Sequence, residues 1–184
     1  METEKLKIDI GCGGKKKGPE WIGVDQYQME GVDRVCNIGS ERWPFEDDSV
    51  DEVHAAHVLE HLTNFGGKWE RVHFFNEMCR VMKKGAQATI VIPHWASNRY
   101  YGDPTHCEPF SEMSFFYLRK GWRDTEAPHT DTDFNPNGYN CDFDATFGYA
   151  LHEALTTRND HFKQEAVRFY KEAVMEIHAT LTKK

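Results

Sequence analysis

The sequence predicts an α/β fold built on a mostly parallel sheet. Three observations carry this. Short apolar runs alternate with polar connecting segments over the first half of the chain. One stretch, 69–84, switches to helical spacing, with Trp69, Val72, Phe75, Cys79 and Met82 recurring on one face. The run that follows, Ala88–Pro93, is almost entirely apolar, as expected of a strand covered on both faces.

The elements follow in order. Leu6, Ile8 and Ile10 alternate and stop at Gly11; Trp21–Val24 stops at Asp25; Val32–Ile38 closes on "CNIGS". After the turn-rich "RWPFEDDS", Val50–Val58 runs into "HVLEHL". The helical stretch carries Lys83 and Lys84 in its expected last turn, with Gly85 as the stop. Residues 94–140 interleave aromatics with Pro, Gly and Asp; a long segment of weak pattern is commonly functional, and a lid is expected here. Within it, "FSEMSFFYL" reads as a short helix opened by Ser111. Phe143–Leu151 and Met175–Leu181 alternate as late strands around a helix over 161–173. The whole, 1–184, reads as a single domain: a binding half over about 5–94, a lid or substrate region over about 94–140 and C-terminal strands over about 141–184.

Composition excludes several classes. The net charge is −8, so counterion release offers little to nucleic-acid binding. No apolar stretch approaches the ~20 residues of a membrane helix, and "METEKLKIDI" lacks a secretory apolar block. The five cysteines are scattered without a C-x-x-C pair, which predicts reduced thiols and a cytoplasmic location. A small-molecule partner is expected, with neither nucleic acid nor membrane; the oligomeric state is left open.

Gly11, Asp25, Asn37 and His57 all fall at strand ends, where ligands of open α/β sheets bind. In "KIDIGCGGKKKGPEWIGVDQY", Gly11 and Gly13 match the start of a dinucleotide fingerprint, but Lys16 holds the third glycine position. The link from Gly13 to Trp21 is also too short for a crossover helix, which brings a crossover to ~10–12 residues or more. A pyrophosphate would lose its helix N-terminus. S-adenosylmethionine carries no phosphate and would not miss it.

At these residues the sequence resembles the class I S-adenosylmethionine-dependent methyltransferases, as a small member of the type 11-like group. "IDIGCGG" is similar to the first motif and "GVDQY" to the second. "CNIGSERWPFEDDSVDEVHAAHVLEHL" and "FFNEMCRVMKKGAQATIVIP" are similar to the stretches through the fourth and fifth strands. The resemblance covers roughly 5–94. It implies a Rossmann-like class I methyltransferase fold with a seven-stranded, mostly parallel sheet and a late antiparallel strand, from which this chain departs in its reduced first crossover helix. It also implies cofactor roles: Asp9 holds the loop near the methionine amine, and Gly11, Cys12 and Gly13 close around the methionine. Asp25, followed by Gln26, takes the ribose hydroxyls. Asn37 and Ile38 meet the adenine, and the backbone around Ala56 and His57 completes the site. One departure is Lys15, which stands where the first motif has its third glycine. The lysine run 15–17 reads as a solvated turn or a clamp for an anionic group.

Methyl transfer from a sulfonium needs alignment of the nucleophile and exclusion of water. A hydroxyl acceptor also needs a base near neutral pH, which points to histidine. His106, in "DPTHCEPF", is the first candidate for base or substrate contact, and His94, ending the fifth strand, the second. Trp95, Tyr100 and Tyr101 are candidate pocket walls. The amino-methyltransferase motif for DNA bases is absent after the fourth strand, where the chain reads "AAHVLEHL". Three other readings remain. One is a methyltransferase-fold subunit that binds without catalysis. Another is a different reaction of the same sulfonium, such as elimination or cyclisation. The third is a zinc peptidase, since His57, Glu60 and His61 spell H-x-x-E-H, though at a strand end rather than inside a long helix. Apart from that pattern, no metal ligand set is expected.

Overall fold

A computed structural model describes residues 5–128 and 138–184. The part of the expected lid over 129–137 therefore lies outside the described residues. Seven strands form one sheet in the order β3-β2-β1-β4-β5-β7-β6. They are β1 (Lys7–Ile10), β2 (Trp21–Asp25), β3 (Arg34–Val35), β4 (Val50–Ala56), β5 (Met82–Pro93), β6 (Phe143–Leu151) and β7 (Val174–Lys183). β1 to β5 pair in parallel, while β7 runs antiparallel to both β5 and β6. The chain therefore turns back between β1 and β4, and this switch point is where a ligand is expected.

The first crossover has no helix. Residues 11–20 loop directly from β1 to β2, yet the two strands stay in parallel register, Lys7 beside Trp21 and Ile10 beside Val24. The loop is held by polar groups instead of packing. The Gly11 and Cys12 N–H groups both donate to the Val24 carbonyl, at 2.8 and 3.2 Å. The Asp9 carboxylate, 4% exposed, accepts from the Lys17 N–H at 2.7 Å and faces His54 Nδ1 at 2.7 Å.

The third strand is far shorter than the apolar run 32–38 suggests. Asn37 takes its side chain into a turn by accepting from the Gly39 N–H at 3.2 Å, which competes with strand pairing. The fourth strand stops at Ala56, because His57 adopts a left-handed conformation (φ +55°).

Helix α1 (Glu70–Val81) buries Val72, Phe74, Phe75, Met78 and Val81 against the sheet. Trp43, 1% exposed, meets Phe74 edge-on with ring centres 5.1 Å apart. The helix ends earlier than its spacing predicts. Met82 is extended and pairs with Val50, so Lys83 and Lys84 belong to β5. Arg80 occupies the last turn and binds Glu77 and Asp47. Gly85, at φ +80°, lies in the irregularity where the register moves from Val50–Met82 to Glu52–Gln87.

Three short helices follow β5: α2 (Asn98–Tyr101), α3 (Glu112–Phe116) and α4 (Lys120–Glu126). As expected, Ser111 caps α3. Phe110, Phe115 and Leu118 are at most 3% exposed and join the central core, so this part of the expected lid packs on the sheet. Helix α5 (Asp160–Phe169) ends before 173; Asn159 caps it by accepting from the Phe162 N–H at 2.9 Å. No helix among the described residues is long and apolar enough to cross a membrane.

Candidate functional site

The tips of β1, β2 and β4 and the loop after β3 surround one cleft of about 410 Å³. Of the residues expected around a cofactor, Gly11, Gly13, Asp25, Gln26, Asn37, Ile38 and His57 line it. Three others stand behind it. Asp9 spends both carboxylate oxygens on Lys17 and His54. Cys12 turns its thiol toward the Gly13 and Gly31 carbonyls, and burial, followed by the nearby Asp9 and Asp25 charges, pushes it up to about 11. Ala56 ends β4 just before the lining residues begin.

Asp25 is the polar centre of the cleft. Its Oδ2 accepts from the Gly13 N–H at 2.9 Å and its Oδ1 from the Tyr27 N–H at 3.1 Å. One carboxylate thus ties the glycine loop to the β2 tip, and each oxygen retains accepting capacity for a hydroxyl. Gly11 has φ +69°, and a Cβ there would stand 2.5 Å from Val58 Cγ2. The backbone can reach the cleft at this point only because no side chain intervenes.

Tyr27, Met29, Val58, His61, Leu62 and Glu70 also line the cleft, though none was expected as a cofactor contact. The first five sit within six residues of a strand end, so the strand-end rule could have found them. Glu70 had no such signal. It reaches the cleft from the first turn of α1 and accepts from the Thr63 N–H at 3.0 Å.

None of the three lysines of the run 15–17 lines the cleft. Lys16 pairs with Asp33 at 2.7 Å, and the Lys17 ammonium sits 4.7 Å from the Trp21 ring centre.

Neither candidate base lines the cleft itself. His94 is 7% exposed; its Nδ1 accepts from the Ala96 N–H at 3.2 Å, which leaves the proton on Nε2, 3.7 Å from the Glu112 carboxylate. His106 donates from Nδ1 to the Tyr100 carbonyl at 2.6 Å and packs edge-on against His61, which does line the cleft. Tyr100 is buried beneath His106, whereas Trp95 and Tyr101 are exposed.

The His94 contact gives a pH test. It draws the Glu112 carboxyl down to about 2, against burial and with help from its own N–H and the Tyr149 hydroxyl. A depressed carboxyl contributes stability above its ordinary value of 4.5, and that stability is lost as pH falls toward about 2. With the side chain 28% exposed, we expect about 1–2 kcal/mol to disappear over this window. Urea midpoints measured across it should fall more steeply for the wild type than for Glu112→Gln; parallel curves would remove the pair.

The sheet order, the glycine loop and the acid at the β2 tip define the Rossmann-like class I methyltransferase fold. Residues 22–90 match the family model described as a methyltransferase domain, covering β2 to β5 but not the glycine loop. Over residues 22–90 the chain thus matches a methyltransferase domain, and its sheet has the class I S-adenosylmethionine-dependent methyltransferase fold, whose cofactor is S-adenosylmethionine. No curated protein matches the sequence significantly.

Among solved structures, the chain is similar to an S-adenosylmethionine-dependent methyltransferase from Archaeoglobus fulgidus, with 19% identity and TM-score 0.63, over 98% of this chain and 86% of that one. A methyltransferase from Methanosarcina mazei gives 17% and 0.56, over 98% and 93%. The geranyl diphosphate C-methyltransferase from Streptomyces coelicolor, solved with Mg2+, geranyl diphosphate and S-adenosyl-L-homocysteine, gives 14% and 0.56, over 98% and 72%.

The H-x-x-E-H pattern does not form the helical pair that a zinc peptidase needs. His57 is left-handed and outside any helix, while Glu60 and His61 lie in a single 3₁₀ turn, Leu59–His61.

Proposed function

We propose that this chain transfers a methyl group from S-adenosylmethionine to a small-molecule acceptor, at a hydroxyl or amine, by in-line displacement. The observation that carries the reading is a single cleft shared by Gly11, Gly13, Asp25, Asn37 and Ile38 beside a crossover that offers no helix N-terminus to a phosphate. In this reading the Gly11–Gly13 backbone lies along the methionine. Asp25 accepts both ribose hydroxyls, while Asn37 and Ile38 meet the adenine edge and face.

The acceptor enters from the His61 and His106 side, with segment 94–128 as its outer wall. His106 is favoured over His94, because it packs against His61 on the cleft wall, whereas the His94 Nδ1 is taken by the Ala96 N–H. The overall charge of −8 favours a small molecule over a nucleic acid.

Titration calorimetry with S-adenosylmethionine and S-adenosylhomocysteine, followed by a mass-shift screen of metabolite pools, tests the reading. Saturable binding with turnover supports it, binding without turnover on any pool leaves a binding subunit, and no binding removes it. Asp25→Ala is expected to weaken cofactor binding by about 1–3 kcal/mol through lost charged hydrogen bonds. Unchanged affinity would take Asp25 out of the site.

A further inference from the structure

One buried acid beside the cleft lacks an explanation in the fold. Glu60 is 2% exposed, and its Oε2 has no hydrogen-bond partner. Its Oε1 faces His57 Nδ1 at 3.3 Å. A bare buried carboxylate oxygen is rare and calls for a partner such as a water, a ligand or an ion.

Two imidazoles stand next to it. One ligand atom each from Glu60, His61 and His106 lies within 4.8 Å of the other two. Both rings are oriented from behind. His106 Nδ1 donates to the Tyr100 carbonyl at 2.6 Å. His61 Nδ1 lies 3.1 Å from Thr105 Oγ1, and that hydroxyl donates in turn to Asp103 at 2.7 Å, so it accepts from the ring. Each histidine therefore presents Nε2 as a lone pair, the tautomer that metal-binding histidines adopt when their other nitrogen is held by an oxygen. Asp103 Oδ2 stands 3.9 Å from His106 Nε2, too far to compete as a hydrogen-bond partner. The two segments are joined by the Cys107 N–H donating to the Glu60 carbonyl at 2.8 Å.

We propose that Glu60, His61 and His106 form a site for one divalent transition-metal ion at the edge of the cleft. Two imidazoles and one carboxylate suit zinc, manganese, iron or cobalt better than magnesium or calcium, and three protein ligands leave positions open. His61 belongs to both the site and the cleft wall, so an open position faces the space where the acceptor enters.

This role rests on the methyl-transfer reading above and narrows it to an oxygen acceptor. A hydroxyl bound beside the ion loses its proton to water more readily. Its oxygen pair forms the new C–O bond, the C–S bond breaks, and its electrons remain on sulfur as the neutral thioether. His106 then acts as a ligand rather than a base.

The untagged chain, stripped by dialysis against chelator, is titrated with Zn2+ by calorimetry and with Co2+ by visible absorption. Saturable binding of one equivalent is expected, weakened about tenfold or more by His61→Gln and by His106→Gln. His161→Gln, on exposed helix α5, should change nothing. Far-UV circular dichroism establishes folding. Should Glu60→Gln fail to fold, the two histidine variants decide. Lack of saturable binding, or binding that neither histidine variant weakens, overturns the site. A parallel titration with S-adenosylmethionine separates the two ideas. Cofactor binding without metal binding rejects the metal site alone, and metal binding without cofactor binding rejects the acceptor role.

Discussion

Replacing Arg71 by methionine is expected to destabilise the fold by about 3–5 kcal/mol, the range for a buried ion pair stripped of one partner. Arg71 is 4% exposed on the inner face of α1. Its Nε donates to the Leu59 carbonyl at 3.0 Å, another guanidinium nitrogen donates to the Glu108 carbonyl, and Nη1 lies 3.6 Å from the Glu108 carboxylate. The guanidinium also sits over the Phe110 ring, 5.2 Å from its centre.

Glu108 takes two further donors, the Thr63 hydroxyl and the Asn64 N–H at 2.8 Å. Methionine fills much of the volume but satisfies neither carbonyl and leaves the carboxylate uncompensated. The large term is thus the stranded partner, not the lost attraction. Urea unfolding should show it as a lower midpoint, and adding Glu108→Gln to Arg71→Met should recover part of the loss. A single-variant loss well below about 1 kcal/mol would mean that water already reaches the pair.

The consequence extends to the cleft. Arg71 and Glu108 pin segment 59–64, which carries His61 and Leu62 on the cleft wall, to the segment bearing His106. Cofactor affinity should therefore fall beyond what residual folding accounts for.

How far the sequence revealed this molecule depends on the range of the interactions. Strand positions and the strand-end cleft were legible because period-two alternation and stops at Gly11 and Asp25 are local properties. So was the missing crossover helix, a matter of chain length between Gly13 and Trp21. The end of α1 was misplaced because Met82, Lys83 and Lys84 suit a helix locally, and only pairing of Met82 with Val50 draws them into the sheet. The aromatic segment after β5 reads as a lid by composition, yet Phe110, Phe115 and Leu118 are core, a fact set by contacts distant in sequence. Asp9 lies within β1 and Cys12 on the loop that follows, and neither side chain lines the cleft. The juxtaposition of His61 with His106 spans 45 positions and left no local trace.

Gly11 offers the sharpest test of the loop path. Gly11→Ala is expected to cost about 2–4 kcal/mol, from two separable terms. An L-residue at φ +69° pays roughly 1–2 kcal/mol for the left-handed backbone. The new methyl group would also stand 2.5 Å from Val58 Cγ2 and 2.8 Å from Val58 Cβ, and forcing a side chain aside in a packed site costs about 1–3 kcal/mol. Gly13 provides the internal control. It too is left-handed, at φ +57°, but a Cβ there meets nothing within 4 Å. Gly13→Ala should therefore show the backbone term alone, about 1–2 kcal/mol. Val58→Ala combined with Gly11→Ala should return the part of the steric term set by the Val58 methyl groups, leaving the backbone part and the residual 2.8 Å contact with Cβ, once the cost of Val58→Ala itself is subtracted. Thermal unfolding of the four variants measures both terms. Because Val58 lines the cleft, Gly11→Ala should also weaken S-adenosylmethionine binding among molecules that remain folded, as the displaced Val58 side chain moves into the space the ligand needs. Equal stability for Gly11→Ala and Gly13→Ala would show that the loop does not pass beneath Val58, and the cleft as described would then have a different floor.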